Sequence, residues 1–530
     1  MLAPPAASNA RGASANQPDL TAAVDDQRLA IDDLGYPAVL AALERACAGL
    51  ALLLRLRKGA PAHGSEQQQA AEPCRETVPS TCHAVPIPFL RCDAISYTIH
   101  YHLAAKRQVV RVTGVKAGQR RAIVIGGSIS GLFAALLLQR HGWRVDVYER
   151  SAGELAGRGA GIVAQPELRE ALAAAGIGDI GDVGVRIDTR ILLDRDGVER
   201  YRCRCPQTVT SWERVHRLLR ARFPDAHYHN GFELKHIDQS GRLPRAHFAD
   251  GSVVEADLVI GADGIRSSVR QQLFPDAALE YTGYVGWRSL IEERMFSPDT
   301  HARTFWTMSF GLPEGEQFIG YPVTGANDSM TPGSLRWNVI WYRPADEREL
   351  ARLLTDVNGK VHEVSIPPPL IRPEVRAEQG EAAARLLAPE FREAVGLSPQ
   401  SFLQPIYDLE SRRLAAGRVA VIGDAAFVAR PHVAAGVIKA AEDVLSMVAA
   451  LDEEASVEAA LERFEAERLV VGRRIIARAR QMGASYRALP PGSPRAPGDH
   501  DAAYVRAVVE DTALTTFLGQ PDDGSVWRPV

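Results

Sequence analysis

The stretch 122-AIVIGGSISGLFAALLLQRHGWRVDVYER-150 decides the fold. An apolar strand runs into a glycine-rich turn, an amphipathic run follows, and a second strand ends on Glu149, with Arg150 beside it. This is the order of a dinucleotide-binding unit, whose turn ordinarily spells G-x-G-x-x-G. Here the turn is Gly126, Gly127, Ser128, Ile129, Ser130, Gly131, with a serine in the place of the middle glycine. The outer glycines serve a tight turn and close helix-to-strand contact, and the middle one admits backbone to the phosphates. Ser128 adds only a small side chain, whose hydroxyl can itself donate to a phosphate oxygen. A helix starting near Ser130 still presents free N–H groups and a positive dipole end. Glu149 lies about 20 residues beyond the glycines, where an acid accepts hydrogen bonds from an adenosine ribose. An ordinary strand–turn–helix has the same outline, so the segment alone leaves cofactor binding open.

Composition narrows the classes. A chain of 530 residues, 46% hydrophobic and 24% charged, is long enough for more than one soluble globular domain. Its formal net charge of −4 gives no reason to expect nucleic acid or an anionic membrane as partner. The longest apolar runs, 48-AGLALLL-54 and 132-LFAALLL-138, are too short to span a bilayer. The opening MLAPPAASNARG lacks the charged and then apolar regions of a secretory signal, so the cytoplasm is the expected location. The 6 cysteines make neither a disulfide scaffold nor a CxxC pair suited to zinc, and no metal site is expected. Cys203 and Cys205 are read as structural or surface thiols on one face of a strand.

Along the chain, residues 1–118 are Ala-rich and broken by Pro and Gly. They read as a largely disordered extension with one short helix around 36–57, or as sequence upstream of the true start. Residues 119–274 give the first part of a Rossmann-like domain, and 275–400 an antiparallel sheet rich in Trp, Tyr and Phe. Residues 401–455 return to a buried parallel-type strand and a helix from Gly436. A further helix spans 456–490 until LPPGSPRAPGD breaks it, and 491–530 form a tail. The expected fold class is α/β, with an inserted antiparallel β-sheet domain and C-terminal helices.

Two more segments carry the reading. In 256-ADLVIGADGIRSSVR-270 a buried strand ends on Gly261, Ala262, Asp263 and Gly264; in 417-GRVAVIGDAAFVARPHVAAGVIKAAEDVL-445 another runs into Gly423 and Asp424. Each alone is a common strand-end turn. The three in this order resemble the single-component flavin-dependent aromatic hydroxylases, the family of para-hydroxybenzoate and salicylate hydroxylases, over about residues 120–485. The resemblance implies a glutathione-reductase-type FAD-binding domain. Gly126, Ser128, Ile129, Ser130 and Gly131 would hold the FAD pyrophosphate, Glu149 and Arg150 the adenosine ribose end, and Arg158 would reach the cofactor. Asp263 and Gly264 match a motif linked to FAD and the reducing nicotinamide. Asp424 would bond the ribityl chain, and Ala435, Gly436 and Val437 would face the flavin pyrimidine edge, where a helix start stabilises an anion.

Departures are visible. Phe427 replaces a common His, Ala434-Ala435-Gly436 replaces Gly-Gln-Gly, Ile438 replaces Asn, and Trp212 stands where the family often has Arg. The stretches SIPPPLIRPEV, QPIYDLES and GDAAFVARPHVAAGVIKAAED are similar to the 2,6-dihydroxypyridine 3-monooxygenase branch, in which Ser128 is habitual. The implied reaction uses NADH or NADPH, without a separate nicotinamide domain, and O₂, through a flavin C4a-hydroperoxide, on an electron-rich pyridine or aromatic ring. A homodimer is compatible with this reading.

A proton acceptor near the ring would help, because the ring anion is the better nucleophile. His432, on the loop expected at the flavin, is the candidate base, with a helix-capping role as the alternative. Tyr321 is the candidate substrate-facing residue, with core packing as the alternative. Trp306, Trp337 and Trp341 read as wall and core, Lys439 and Arg288 as surface or ion-pair residues. The rival functions are a salicylate- or 6-hydroxynicotinate-type decarboxylating hydroxylase, which needs a cation that sequence alone does not place, and a flavin-binding redox protein without productive hydroxylation.

Overall fold

The computed structural model describes residues 119–519 apart from 154, 156–160, 179–182, 399 and 491. The expectations for 1–118 and for Arg158 lie outside the described residues. β1 (Arg121–Ile125) is fully apolar from Ala122 to Ile125 and buried on both faces, as the central strand of a parallel sheet must be. It pairs in parallel with β2 (Arg144–Glu149) on one side and β3 (Leu258–Gly261) on the other, and β3 pairs in parallel with β4 (Val419–Val421). Residues 415–416 and 228–230 flank this six-stranded sheet. Because β1, β3 and β4 run the same way, the turns that follow them emerge at one edge, where a nucleotide-binding crevice forms.

α1 (Ile129–Arg140) packs against α2 (Gly436–Glu453), and α2 lies against α3 (Val457–Met482). α3 begins where Ser456 accepts the Ala459 N–H on its hydroxyl at 3.1 Å, close to the expected boundary. Among the described residues no helix is long and apolar enough to cross a membrane.

A second sheet has nine strands, in the order 427–428, 402–410, 280–292, 336–344, 317–323, 308–311, 185–193, 199–211, 161–163. It reaches beyond residues 275–400, because Met308–Phe310 pairs in parallel with Arg190–Leu192. The alternation of 199-ERYRCRCPQTVTS-211 suits a strand, but this non-local partner leaves no local signal. The antiparallel register places Tyr284, Arg288, Gln317, Tyr321, Asn338 and Tyr342 on one face. Trp287, Phe318, Trp337 and Trp341 alternate onto the other face, where Phe391 stacks on Phe318 at 4.4 Å. Trp337 and Trp341 are therefore core, as expected, whereas Trp306 is 40% exposed and forms neither core nor wall.

The segment read as a tail contains α4 (Ala502–Asp511), whose Val505, Val508 and Val509 enter the core of this second sheet. Its last carbonyls meet the buried Arg190, which donates to Val509 O at 2.6 Å and Glu510 O at 3.2 Å, and to Gln207 Oε1 at 2.6 Å. Gln165 and Gln207 both donate to the Ala513 carbonyl, and the Ala513 N–H donates to His432 O at 2.7 Å. Replacing the guanidinium leaves these carbonyls without their charged donor. Arg190→Ala is expected to cost about 3 kcal/mol of stability in urea denaturation; a loss below about 1 kcal/mol would show that α4 is held by its apolar face alone.

Candidate active site

The three turns meet without room between them. Gly126 has φ +106, and a Cβ there would run into the Ala262 carbonyl at the end of β3. A Cβ on Gly131 would strike the Gly126 carbonyl, and one on Gly127 the Tyr228 hydroxyl. Gly127 is also fixed by polar groups: its N–H donates to Glu149 Oε2 at 2.8 Å, and its carbonyl accepts from Tyr228 Oη at 2.9 Å. Ser128 differs. It has φ −79 and ψ −172, an extended conformation open to any residue, and its side chain makes no capping hydrogen bond. The serine thus sits at a position of the turn that does not require glycine. Glu149 ties the turn to the end of β2, because its other oxygen accepts the Ser151 N–H at 2.8 Å. Arg150 beside it is exposed.

Asp263 opens the short helix Ser268–Leu273, accepting the Ser267 hydroxyl, the Ser268 N–H at 2.7 Å and the Val269 N–H at 3.3 Å. Burial pushes its carboxyl above the usual range in spite of these bonds. Gly264 has φ +75 and open space where a side chain would stand. The buried Arg270 donates to Ile265 O at 2.8 Å and Ala425 O at 3.2 Å, clamping the second turn to the third. Gly423 has φ +60 and packs on Ser130, while its N–H donates to Asp443 at 3.0 Å.

Lys439 is 1% exposed, so it is not a surface residue. It donates to Gly423 O at 2.8 Å and to Phe427 O, and pairs with Asp424 Oδ1 at 3.4 Å. The roles of Arg270 and Lys439 as backbone clamps were not legible in the sequence, since their acceptors are main-chain carbonyls. The Asp424 side chain itself is 56% exposed. α2 starts with Ala435 in the capping position, hence without a side-chain cap, with no acid in its first turn and open space beside Gly436; Val437 follows, half-buried.

His432 is buried. Its Nδ1–H donates to Gln317 Oε1 at 3.2 Å, which leaves Nε2 to accept the Tyr284 hydroxyl at 2.9 Å. Burial and then the neighbouring Arg430 depress its pKa to about 3. The ring is neutral at pH 7 with both nitrogens taken, an arrangement that does not equip it as a proton acceptor for a substrate. Tyr321 is buried on the inner sheet face against Gly161, and burial raises its hydroxyl to about 12. Asn338, its cross-strand partner, accepts the Gly161 N–H at 2.7 Å. Arg288 is half-buried and donates to the amide oxygen of Gln404 at 2.8 Å, so it is neither a surface residue nor paired there with an acid.

Two uncapped, acid-free helix starts, glycines that let the strand-end turns close on one another, open space beside Gly264 and Gly436, and an exposed Asp424 fit a bound FAD: anionic phosphate and flavin edges would meet N–H groups, and hydroxyls a carboxylate. Comparison with known proteins agrees. Residues 281–408 match a family model described as FAD binding domain-like, and 124–177 one described as an NAD(P)-binding Rossmann-like domain. The 2,6-dihydroxypyridine 3-monooxygenase of Paenarthrobacter nicotinovorans is 32% identical over 403 residues, 75% of this chain and 98% of that protein. The 3-amino-4-hydroxybenzoate 2-monooxygenase of Streptomyces cremeus is 28% identical over 417 residues, 76% of this chain and 95% of that one. The solved 2,6-dihydroxypyridine-3-hydroxylase of Arthrobacter nicotinovorans superposes with a TM-score of 0.65 at 31% identity, covering 71% of this chain and 95% of that chain. The chain belongs to the FAD-dependent aromatic hydroxylase family and is an FAD-dependent monooxygenase.

The turn geometry separates its glycines. Gly131→Ala is expected to abolish FAD retention on purification, whereas Ser128→Gly should hold FAD with affinity within about threefold of the parent, a difference under 1 kcal/mol. FAD fluorescence titration checks both, and a large loss in Ser128→Gly would give the hydroxyl a direct role in holding the phosphate. For His432 the folded pKa of about 3 lies below the ordinary 6.5. The unfolded chain therefore takes up a proton that the native one refuses, and stability from this group is lost as pH falls below about 6.5. The stability deficit of His432→Gln, measured by denaturation, should shrink between pH 7 and pH 5; a constant deficit would contradict the buried neutral state.

Proposed function

We propose that the protein is an NAD(P)H- and O₂-dependent monooxygenase that hydroxylates an electron-rich hydroxylated pyridine, converting 2,6-dihydroxypyridine to 2,3,6-trihydroxypyridine. The observation that carries the reading is the acid-free start of α2 beside an inner sheet face that holds Arg288, Tyr321 and Asn338. The names of the relatives point to the same ring class. In this proposal Gly126, Ser128, Ile129, Ser130 and Gly131 take the pyrophosphate, and Glu149, Arg150 and Arg158 the adenosine side. Asp424 takes the ribityl hydroxyls, Asp263 and Gly264 border the path of the nicotinamide, and the N–H groups at Ala435, Gly436 and Val437 meet the flavin pyrimidine edge. Residues 119–274 and 411–455 make the FAD-binding part, 275–410 with strands 185–211 the substrate sheet, since 402–410 pairs with 280–292, and α3 and α4 buttress both.

FAD, when bound, supplies electron transfer from the nicotinamide and activation of O₂. The chain's own residues orient and seclude the ring. Tyr321 and Asn338 line its floor, and His432 acts as a positioning residue that fixes the loop before α2 through Gln317 and Tyr284. A cytoplasmic setting and a homodimer belong to the same proposal. A second reading, a decarboxylating hydroxylase of a salicylate- or hydroxynicotinate-like acid, is favoured by Arg288, a cation on the inner face.

The deciding experiment follows NADH consumption with and without 2,6-dihydroxypyridine while hydrogen peroxide and ring products are quantified. The dihydroxypyridine is expected to accelerate NADH oxidation and to yield the trihydroxypyridine with little peroxide. Absence of both acceleration and product removes this substrate, and the same assay with salicylate and 6-hydroxynicotinate then decides the second reading. Peroxide formation alone with every ring would leave a flavin redox protein without productive hydroxylation.

A further inference from the structure

The inner face of the large sheet carries an uncommon set of polar groups. Three buried nitrogen donors have no hydrogen-bond partner among the described residues: Arg288 Nε, Asn338 Nδ2 and Gln317 Nε2. Asn338 and Gln317 are fully buried, and the register places both on the face that holds Arg288. Buried donors are nearly always satisfied, and three orphans on one face point to acceptors that arrive with a ligand.

The surroundings fix the sign of that ligand. The Arg288 guanidinium donates to Gln404, an amide, and the groups near it are phenols: it acts electrostatically on both Tyr321 and Tyr342. The carboxylates at the margins are otherwise engaged. Asp408 pairs with Arg430 and Arg480, and Glu316 holds Trp341 Nε1 and Arg343; Glu292 lies at the far end of its strand opposite Arg336.

The same face is bracketed by the edge strand 161–163 and by the loop ahead of α2. Gly161 rests on Asn338 and Tyr321 at one end. At the other, His432, just before the open start of α2, lies 4.4 Å from the Tyr342 ring and bonds Gln317. A ring lying between these brackets would present its oxygens to Arg288 and the amides.

We propose that this face recognises its ring as an oxyanion, with Arg288 as the countercharge and Asn338 and Gln317 as the amide donors that complete its hydrogen bonding. The inference rests on the hydroxylase reading above and deepens it. It also makes a dedicated base unnecessary. The ring hydroxyl gives its proton to water on binding, its O–H bond pair stays on the ring oxygen, and the guanidinium balances the charge. His432, neutral with both nitrogens engaged, and Tyr321, which keeps its own proton, leave that proton to solvent. The ring so held is the electron-rich form that an electrophilic oxygen attacks fastest.

The test uses the full-length FAD-loaded enzyme without reductant. Ring binding is read by difference absorbance and proton release by a pH indicator, for 2,6-dihydroxypyridine, its dimethoxy analogue, 4-hydroxybenzoate and 6-hydroxynicotinate. The dihydroxypyridine is expected to bind with release of a proton, the dimethoxy analogue to bind far more weakly, and Arg288→Gln to weaken the hydroxylated ring by about tenfold or more. Arg288→Lys should recover part of the loss, with FAD affinity unchanged in both variants. Binding of an acid without proton release, still dependent on Arg288, would support the same site with a carboxylate as the oxyanion. Equal affinity of the parent enzyme for the hydroxylated and dimethoxy rings overturns the proposal without any variant. So does a ring that binds unchanged to Arg288→Gln. If no ring binds the parent enzyme, the hydroxylase reading fails and the oxyanion site fails with it.

Discussion

The structure depends on one steric constraint: three strand-end turns that approach each other with no side chain between them. Gly126 lies under the Ala262 carbonyl, Gly131 on the Gly126 carbonyl, and Gly423 on Ser130. This closeness puts β1, β3 and β4 in register and sets the N-termini of α1 and α2 at one edge of the same sheet. Widening any of these contacts would move a helix start away from the crevice. The nine-stranded sheet inherits the arrangement, since the loop ahead of α2 carries His432 onto Gln317, Tyr284 and Tyr342.

Buried cations hold the constraint in place by binding carbonyls more than acids. Arg270 joins the turn after β3 to the one after β4, Lys439 closes the Gly423 turn from below, and Arg190 gathers the end of α4. A buried cation is costly unless its donors are met, and rows of turn carbonyls meet them without supplying a full negative charge. Where full neutralisation is needed, at Arg468 beside α2, the acids Glu442 and Asp443 provide it.

The sequence made legible whatever is encoded by local period and turn chemistry. The β1–α1–β2 unit, the two later strand-end turns, α2, α3 and the antiparallel character of 280–344 all follow from patterns within short windows. Long-range pairing escaped. Strands 185–211 joined the large sheet through one parallel contact, and α4 docked through Arg190, a residue with nothing unusual around it in the chain. The site divided along the same line. The glycines and Asp424 stand in turn motifs that a short window reveals, whereas Arg288 and Lys439 read as surface or ion-pair residues and the burial of Lys439 went unread, because a side chain's burial depends on which distant elements cover it. His432 was correctly placed on the loop before α2, but its two hydrogen-bond partners come from other strands, and they decide its protonation.

Those partners bear on how the ring is activated. A general base must be able to accept a proton near neutral pH, and burial against aromatic rings with Arg430 nearby removes that capacity from His432. The same burial holds the Tyr321 and Tyr342 hydroxyls protonated. The inner face thus donates hydrogen bonds and accepts few, and a cation stands among the donors. Such a surface stabilises an oxyanion in the ground state and, as oxygen transfer draws electron density out of the ring, gives up part of that stabilisation. The cost is smallest where the charge is already shared over several oxygens and a ring nitrogen, because the density drawn off then comes from the whole ring and not from the one oxygen against Arg288. Under the proposed function this favours dihydroxypyridines over simple phenols on electrostatic grounds, independently of the shape of the site.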